Sequence, residues 1–273
     1  MDDAVKPPAT RLAAAYGGDG WSPRLAAHGD EIGALWAACG IDSEWRRLRA
    51  VALSRPGAEI AVGDVDASQF LDAPDPGRAR AEHDALAGAY RAEGVAVIAV
   101  GEVPRPSPNR MFCADLFVMT PQGAILARPA STVRAGEEVA VAAALAQARV
   151  PILKTLTGRA TFEGADLMWL DAETAIVGRG LRTNQEAIGQ IAGLMAEIGC
   201  SLVAVDLPHG TMHLMGMLRI ADADLALAWP RRTPHAAVTA LRERGYRVAF
   251  LPGEDEAENN KALNFVTLGP RRI

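Results

Sequence analysis

The chain has 273 residues, of which 49% are apolar and 22% are charged, and its formal net charge is -5. These proportions are typical of a globular protein with one large domain or two modest ones. The negative charge argues against a nucleic-acid or anionic-membrane surface, because neither a phosphate backbone nor an acidic lipid is attracted to it. The sequence has neither an apolar run of about 18 residues nor a signal-peptide pattern, so we expect a cytoplasmic protein.

The N-terminal part of the chain differs from the rest. We assign residues 1–44 to a tail with a helical lead-in, and residues 45–273 to a single catalytic-type domain. Residues 45–57 fit a strand and a turn that open a divergent first unit. Residues 58–79 are rich in Asp, Pro and Gly and predict a loop able to lie over a site.

The following residues repeat one pattern three times. Each repeat begins with two apolar strands joined by a short polar turn, followed by a helix with a 3.6-residue apolar period and one more strand. The period is about 50 residues, which predicts a repeat architecture. The hairpins lie at 111–128, 161–178 and 212–229, the helices at 80–93, 137–149, 184–199 and 235–244, and the closing strands begin at Val95, Val150, Cys200 and Tyr246.

The C-terminal residues look like the start of another hairpin. Residues 261–268 fit its first strand, and a turn follows at 269–272. Without a returning strand, backbone groups and a sheet edge would stay unpaired, so we expect the sequence to be truncated at its C-terminus. The alternative is a strand that pairs elsewhere in the fold.

Three cysteines, Cys39, Cys113 and Cys200, lie far apart and form no C-x-x-C pair. They predict neither a zinc site nor a disulfide framework. Burial as small apolar side chains is the expected role of Cys39 and Cys200, which lie in or next to apolar stretches. We expect all three thiols to be reduced, and no metal site.

One group able to do chemistry lies at the start of each hairpin: Asp115, Glu163 and His213. Repeated units pack around a common axis to bury their apolar faces, so these groups should converge on one site. A neutral imidazole beside a carboxylate is suited to moving protons near pH 7. Taken alone, His213 would fit a core histidine, and Glu163 a turn-capping acid.

Further charged residues surround these positions. Asp166 shares a Gly-loosened bend with Glu163 before a strongly apolar strand, where two acids need a cationic partner. Arg134 and Arg182 each lie between a hairpin and its helix, where an arginine is well placed to grip a carboxylate. Arginines at the rim and acids at the centre would suit a zwitterionic amino acid with a cationic tail. The alternative for either arginine is a solvated or helix-capping side chain.

Together these motifs resemble the guanidino-group-modifying superfamily of amidinotransferases, arginine deiminases and dimethylarginine dimethylaminohydrolases. The resemblance extends from about Trp45 to Ile273 and implies an α/β-propeller of five ββαβ units with pseudo-fivefold symmetry, the last incomplete here. It also implies a cysteine nucleophile that attacks the guanidinium carbon, and an amidino-thioether intermediate that passes to an amine or to water. The matching motifs are Phe112-Cys-Ala-Asp115, Arg134-Ala-Gly-Glu137, Phe162-Glu163-Gly-Ala-Asp166, Gly178 with Arg182-Thr183-Asn184, and Met212-His213-Leu214.

By position, the resemblance implies that His213 is the general acid/base, Glu163 its carboxylate partner and Asp115 the acid that holds the guanidinium. The implied ligand is a small guanidino compound such as arginine, without a cofactor, and a homo-oligomer is left open. The other matching positions would line the substrate, Asp166 holding either substrate or structure: Phe112, Arg134, Arg182 and Asp166.

Two features depart from the family pattern. The nucleophile of the family lies in a Gly-rich segment near the C-terminus, and no cysteine of this chain occupies that place, so we expect the 273-residue chain to be inactive. Met215 stands where deiminases and transferases tend to carry an acid. Three hypotheses follow: an amidinotransferase or amidinohydrolase lacking its nucleophile here, a hydrolase of substituted arginines, and a non-catalytic guanidine- or amino-acid-binding protein.

Overall fold

A computed structural model of the protein describes residues 11–101 and 107–273. The first ten residues of the expected tail lie outside this range. The strands are β1 (Ala50–Leu53), β2 (Ala96–Ala99), β3 (Phe117–Thr120), β4 (Gly123–Leu126), β5 (Ile152–Thr155), β6 (Leu167–Asp171), β7 (Thr174–Arg179), β8 (Ser201–Asp206), β9 (Leu218–Asp222), β10 (Leu225–Ala228) and β11 (Arg247–Phe250). The α-helices are α1 (Pro76–Ala92), α2 (Glu138–Gln147), α3 (Gln185–Glu197), α4 (His235–Glu243) and α5 (Glu254–Glu258).

The predicted repeat is confirmed. In each of three units an antiparallel hairpin is followed by a helix and a third strand, which pairs in parallel with the second strand of the hairpin. The sheets are β3-β4-β5, β6-β7-β8 and β9-β10-β11. Within the described residues, the first unit consists of β1, α1 and β2, with β1 and β2 parallel and no leading antiparallel strand.

Side-chain caps mark the start of two helices, and α1 begins at Pro76, earlier than the predicted residue 80, so the last residues of the expected 58–79 loop are helical. Asp75 accepts a hydrogen bond from the Arg78 N–H, and Pro76 occupies the first turn of α1, where a missing N–H costs nothing. Asn184 caps α3 in the same way by accepting from the Ala187 N–H. The Asn184 cap starts α3 shortly after β7 ends, whereas a long loop separates β1 from the Asp75 cap of α1.

Neighbouring units share apolar cores. Strand β6 is buried on both faces: Leu167 and Trp169 pack with the side chains of α3, whereas Met168 and Leu170 pack with those of β9 and α4. Alternate residues of a strand point to opposite faces, so one strand joins two successive units. Burial of each such side chain contributes about 1.5–3 kcal/mol, which makes unit-to-unit packing the main source of cohesion.

Two terminal segments differ from expectation. The helical lead-in consists, within residues 11–44, of the short 3-10 helices Ala14–Tyr16 and His28–Glu31. The strand expected at 261–268 is wrong, because this segment pairs with no neighbouring ladder. It instead makes isolated bonds to two units: the Leu48 N–H donates to Leu268 O at 3.0 Å, Thr267 Oγ1 donates to Ile220 O at 2.8 Å, and Arg219 Nη2 donates to Phe265 O.

Candidate active site

A one-turn 3-10 helix precedes the first strand of each hairpin, and we call these three the entry turns. They are Cys113–Asp115, Gly164–Asp166 and Leu214–Gly216. The first two approach closely at Gly164, where an added Cβ would lie 2.5 Å from Ala114 O and closer still to Phe117 O. Only glycine permits this approach, which brings the charged residues of successive units together.

Asp115, Glu163 and His213 lie together, and we call them the acid–histidine cluster. The prediction that they occupy equivalent positions in their repeats is wrong. Asp115 ends its entry turn, whereas Glu163 and His213 each come immediately before theirs. The true equivalent of Asp115 is therefore Asp166, and that of Glu163 is Phe112. The predicted convergence is nevertheless confirmed: His213 Nε2 lies 3.5 Å from Asp115 Oδ1 and 3.4 Å from Glu163 Oε2.

Asp166 orients the histidine from the other side of the ring. Its Oδ1 lies 3.5 Å from His213 Nδ1 and accepts the Leu214 N–H at 3.0 Å. Its Oδ2 accepts the Thr183 hydroxyl at 2.6 Å, so the completely buried carboxylate has no freedom to turn. Asp166 thus contacts the histidine, in keeping with a structural role.

His213 is nearly enclosed, its side chain being 11% exposed. Burial by itself would lower the pKa of His213. Contact with Asp166 and the charges of Asp115 and Glu163 outweigh it and raise the pKa of His213 above its ordinary value. The ring therefore keeps its proton to a higher pH than an ordinary histidine does.

The rim position expected for Arg134 is wrong. Arg134 is buried, with its Nη1 2.6 Å from Asp115 Oδ2 and its Nη2 2.8 Å from Glu137 Oε2. Nη2 also donates to Phe112 O at 3.3 Å. The reason is electrostatic: a carboxylate as deeply placed as Asp115 needs a cation, and the loop before α2 supplies one.

Arg182 lies closer to the expected place. Its side chain is 12% exposed and its Nη1 donates to Glu163 Oε1 at 3.2 Å, an oxygen that also accepts the Ala130 N–H at 3.2 Å. Its Nε is buried without a partner. Arg182 therefore occupies one oxygen of Glu163 and leaves the other, Oε2, turned toward His213.

Phe112 forms an exposed edge of the site, with 42% of its surface accessible. The Arg134 guanidinium carbon lies 5.9 Å from the Phe112 ring centroid, and the ring of Phe70 lies 6.1 Å from it. Phe70 belongs to the 58–79 loop, which was expected to lie over a site. The Asn109 amide also donates to Ser68 O of this loop at 2.8 Å, so the loop contacts the segment that carries Phe112.

Sequence reasoning did not single out Glu137 as a site residue. It is 2% exposed, and its partner Arg134 lies three residues earlier, a spacing at which oppositely charged side chains meet. That spacing was the available signal. With Glu137 counted, four carboxyl groups face two guanidinium groups, and the cluster retains an excess of acid.

The three members of the acid–histidine cluster place one ligand atom each within 4.8 Å of one another. A divalent ion there would meet strong repulsion, because Arg134 Nη1 lies only 3.6 Å from Glu163 Oε2 and Arg182 holds the other oxygen. A planar cation that donates hydrogen bonds fits the arrangement better than a metal ion.

None of the three cysteines has the environment of an activated thiol. Cys113 lies in the first entry turn at 6% exposure, and burial raises its pKa to about 11. Burial also raises the pKa of Cys39 and of Cys200. Each thiol therefore stays protonated at neutral pH, and a protonated thiol is a poor nucleophile.

Comparison with known proteins shows the family of this chain. A family model described as eukaryotic N,N dimethylarginine dimethylhydrolase matches residues 75–229. The chain is 28% identical over 160 residues to the N(G),N(G)-dimethylarginine dimethylaminohydrolase of Streptomyces coelicolor, covering 59% of this chain and 60% of that protein. The chain thus spans about 60% of the length of the curated relative it matches.

Two solved structures share the fold. A dimethylarginine dimethylaminohydrolase from Pseudomonas aeruginosa, a cysteine-to-serine mutant complexed with citrulline, has a TM-score of 0.65 at 20% identity, over 77% of this chain and 79% of that chain. An amidinotransferase of saxitoxin biosynthesis from Microseira wollei has a TM-score of 0.64 at 15% identity, over 79% and 76%. These likenesses confirm the predicted α/β-propeller class.

Proposed function

The chain belongs to the N,N dimethylarginine dimethylhydrolase family, and we propose that its acid–histidine cluster binds the guanidino group of arginine or a related compound. One observation carries the proposal: Glu163 Oε2 and His213 Nε2 are buried, lie 3.4 Å apart and have no hydrogen-bond partner. A guanidinium would supply the donors that Glu163 Oε2 lacks, since its fork offers parallel N–H groups to a carboxylate.

The surrounding charges support this ligand. The acids outnumber the guanidinium groups, so a cation entering the cluster improves its charge balance. Arg182, with an unpartnered Nε and 12% of its side chain exposed, remains at the edge of the cluster, where a ligand carboxylate would meet it. Citrulline in the Pseudomonas relative is an amino acid ligand of comparable length.

The chemistry proposed for the site is that of amidinohydrolases and amidinotransferases. A thiolate attacks the guanidinium carbon, an amine leaves, and water or a second amine then releases the amidino group from sulfur. His213 Nε2, facing the ligand position, would protonate the leaving amine and then take a proton from the incoming nucleophile. Asp166 would keep the ring in place through Nδ1, 3.5 Å away.

Residues 1–273 lack an activated thiol, so we further propose that this chain binds its ligand without turning it over. The pKa of each of its three cysteines is raised, that of Cys113 to about 11. A carboxylate or an imidazole cannot replace a thiolate at a resonance-stabilised guanidinium carbon. A non-catalytic guanidine-binding role is therefore the second candidate function.

Met215 favours substituted arginines as the ligand. It follows His213 by two residues and packs against the apolar cluster of β9 and α4. A methylated guanidinium has fewer N–H donors and more apolar surface, so the lack of an acid at this position favours such a ligand without a contact from the Met215 side chain. Transfer to an amine requires no such ligand, so this position favours hydrolysis of N-substituted arginine.

Calorimetric titration of the folded chain with arginine and with N,N-dimethylarginine tests the proposal. Glu163→Gln should weaken both affinities by about tenfold or more, the cost of a lost charge-assisted hydrogen bond. The matched control is Glu173→Gln, an exposed glutamate in the β6–β7 turn, which should bind like the wild type. An unchanged affinity in Glu163→Gln would remove the guanidino-site assignment, and citrulline formation by the purified chain would remove the non-catalytic part.

A further inference from the structure

Glu137 is a buried acid that faces no ligand position and yet is only half satisfied. Its Oε2 accepts from Arg134 Nε at 2.9 Å and lies 2.8 Å from Nη2, while its Oε1 is buried without a partner. Glu137 immediately precedes α2 and is 2% exposed. A carboxylate is costly in such a place unless a cation pairs with it, and Arg134 is that cation.

Arg134 is held between two acids. Glu137 takes the Nε and Nη2 edge of the guanidinium, and Asp115 Oδ2 takes Nη1 at 2.6 Å. A third acid is close: Glu163 Oε2 lies 3.6 Å from the same Nη1 and has no hydrogen-bond partner. A shift of about one ångström would bring Arg134 into hydrogen-bonding distance of Glu163.

The two arrangements have opposite consequences for a ligand. With Arg134 on Glu137, the Oε2 atom of Glu163 stays open beside His213. With Arg134 on Glu163, that oxygen would already hold a guanidinium, and an incoming guanidinium would have to displace it. The electrostatic attraction between Arg134 and Glu163 favours this second arrangement, and two acids oppose it: Asp115 at Nη1 and Glu137 at the Nε and Nη2 edge.

We propose that Glu137 is a positioning residue that holds Arg134 away from Glu163 and thereby keeps Glu163 Oε2 free for the ligand. The proposal deepens the guanidino-binding function and rests on it for its ligand arm. Glu137 acts through Arg134 alone, without touching the ligand. Burial raises the pKa of Glu137 above its ordinary value, and the hydrogen bond and charge of Arg134 oppose this rise.

The decisive variant is Glu137→Gln, which keeps the shape of the side chain and removes the charge. Its matched control is Glu138→Gln, the next residue, whose carboxylate accepts the Gly136 N–H at 3.0 Å and makes no contact with Arg134. Two quantities are measured: the His213 titration by NMR in the ligand-free protein, and the arginine affinity by calorimetry.

In Glu137→Gln, Arg134 should move to Glu163, so the negative charge facing His213 falls. His213 is faced by Asp115, Glu163 and Asp166, with Arg134 behind the first two. Its pKa should therefore drop by about half a unit or more, and the arginine affinity should fall by about tenfold. Glu138→Gln should match the wild type in both. A folded Glu137→Gln protein with unchanged His213 titration would overturn the proposal.

A measurement without any variant covers the case in which Glu137→Gln does not fold. In the wild type, the Arg134 Nε–H, bonded to Glu137, should give a slowly exchanging NMR signal that persists when arginine is added. Loss of this signal on ligand addition would show that Arg134 leaves Glu137, and would contradict the proposal. If the wild type bound no guanidino ligand, the proposed function would fail, whereas the ligand-free His213 and Arg134 signals would still judge the role of Glu137.

Discussion

Two buried arginines, Arg110 and Arg134, each lie in a cluster of charged side chains. We call a cluster closed when all its buried polar side-chain atoms have hydrogen-bond partners, and open when some do not. Arg110 donates to Glu59 Oε1 at 2.7 Å, to Ser54 Oγ at 2.9 Å and to Arg55 O at 2.9 Å. Among the described residues, the Arg110 cluster leaves no buried polar side-chain atom without a partner. It ties the 58–79 loop to the segment that leads into the first entry turn.

The Arg134 cluster is equally buried, but it is open, because several of its polar atoms have no hydrogen-bond partner. Unpartnered atoms remain on Glu137, Glu163, Arg182 and on both nitrogens of His213. Buried polar atoms without partners cost stability, and a fold retains them where a ligand completes them. The Arg110 cluster thus serves the structure, whereas the unpartnered atoms around Arg134 support the proposal that this cluster binds a ligand.

The largest effect should come from breaking the closed cluster. Arg110→Met leaves Glu59 buried without its cation, which should lower the free energy of unfolding by about 3–5 kcal/mol in urea denaturation. The control Arg55→Met removes an exposed pair with Asp84 and should cost far less. Equal losses for the two variants would show that burial does not distinguish these pairs.

In the open cluster, function should suffer more than stability. Asp115→Asn should weaken arginine binding by about 1.5–3 kcal/mol, because a charge-assisted contact is lost and Arg134 is left with one acid fewer. Calorimetry measures this directly. Asp171→Asn, which breaks a surface pair with Arg244, serves as the control and should leave binding intact. A measurable wild-type affinity that Asp115→Asn did not change would place the ligand elsewhere.

The close approach of the entry turns gives a smaller effect. Gly164→Ala places a Cβ against the backbone carbonyls of Ala114 and Phe117, and we expect a loss of about 1–3 kcal/mol of unfolding free energy. Gly189→Ala in α3 meets no atom within 4 Å and should instead stabilise the protein by about 0.5–1 kcal/mol. Thermal denaturation of the two variants should therefore shift in opposite directions. A stabilised Gly164→Ala protein would mean that the turns are not tightly packed.

The smallest expected effect is the pH dependence of binding. The pKa of His213 is higher in the folded protein than its unfolded value of about 6.5. Protonation of His213 therefore stabilises the fold fully below that unfolded pKa, and this stabilisation is lost as the pH rises through the folded pKa. The imidazolium also competes with a guanidinium for the same acids. Arginine affinity should thus rise with pH through that value and level off above it. His213→Gln should abolish the pH dependence of arginine affinity, and the control His235→Gln should keep it. A wild-type affinity that does not change with pH would exclude competition between the imidazolium and the guanidinium.

The repeat, the hairpins and the helices were predictable, because apolar periodicity and capping residues are local signals. The meeting of Asp115, Glu163 and His213 followed from the repeat. The equivalence of Asp115 and Asp166 was also readable, because Ala114-Asp115-Leu116 and Ala165-Asp166-Leu167 are the same three residues, but the prediction aligned Asp115 with Glu163 instead. The interior place of Arg134 was also beyond the sequence, because an arginine before a helix caps or grips equally well until Asp115 and Glu137 are packed against it.

The open cluster should recognise a guanidinium. A calorimetric comparison of arginine with lysine on the wild-type chain measures this recognition. Both ligands carry the same charge and the same α-amino acid group, but an ammonium cannot engage a carboxylate through two parallel hydrogen bonds. The account predicts that arginine binds at least about tenfold more tightly. Equal affinities for arginine and lysine would contradict it.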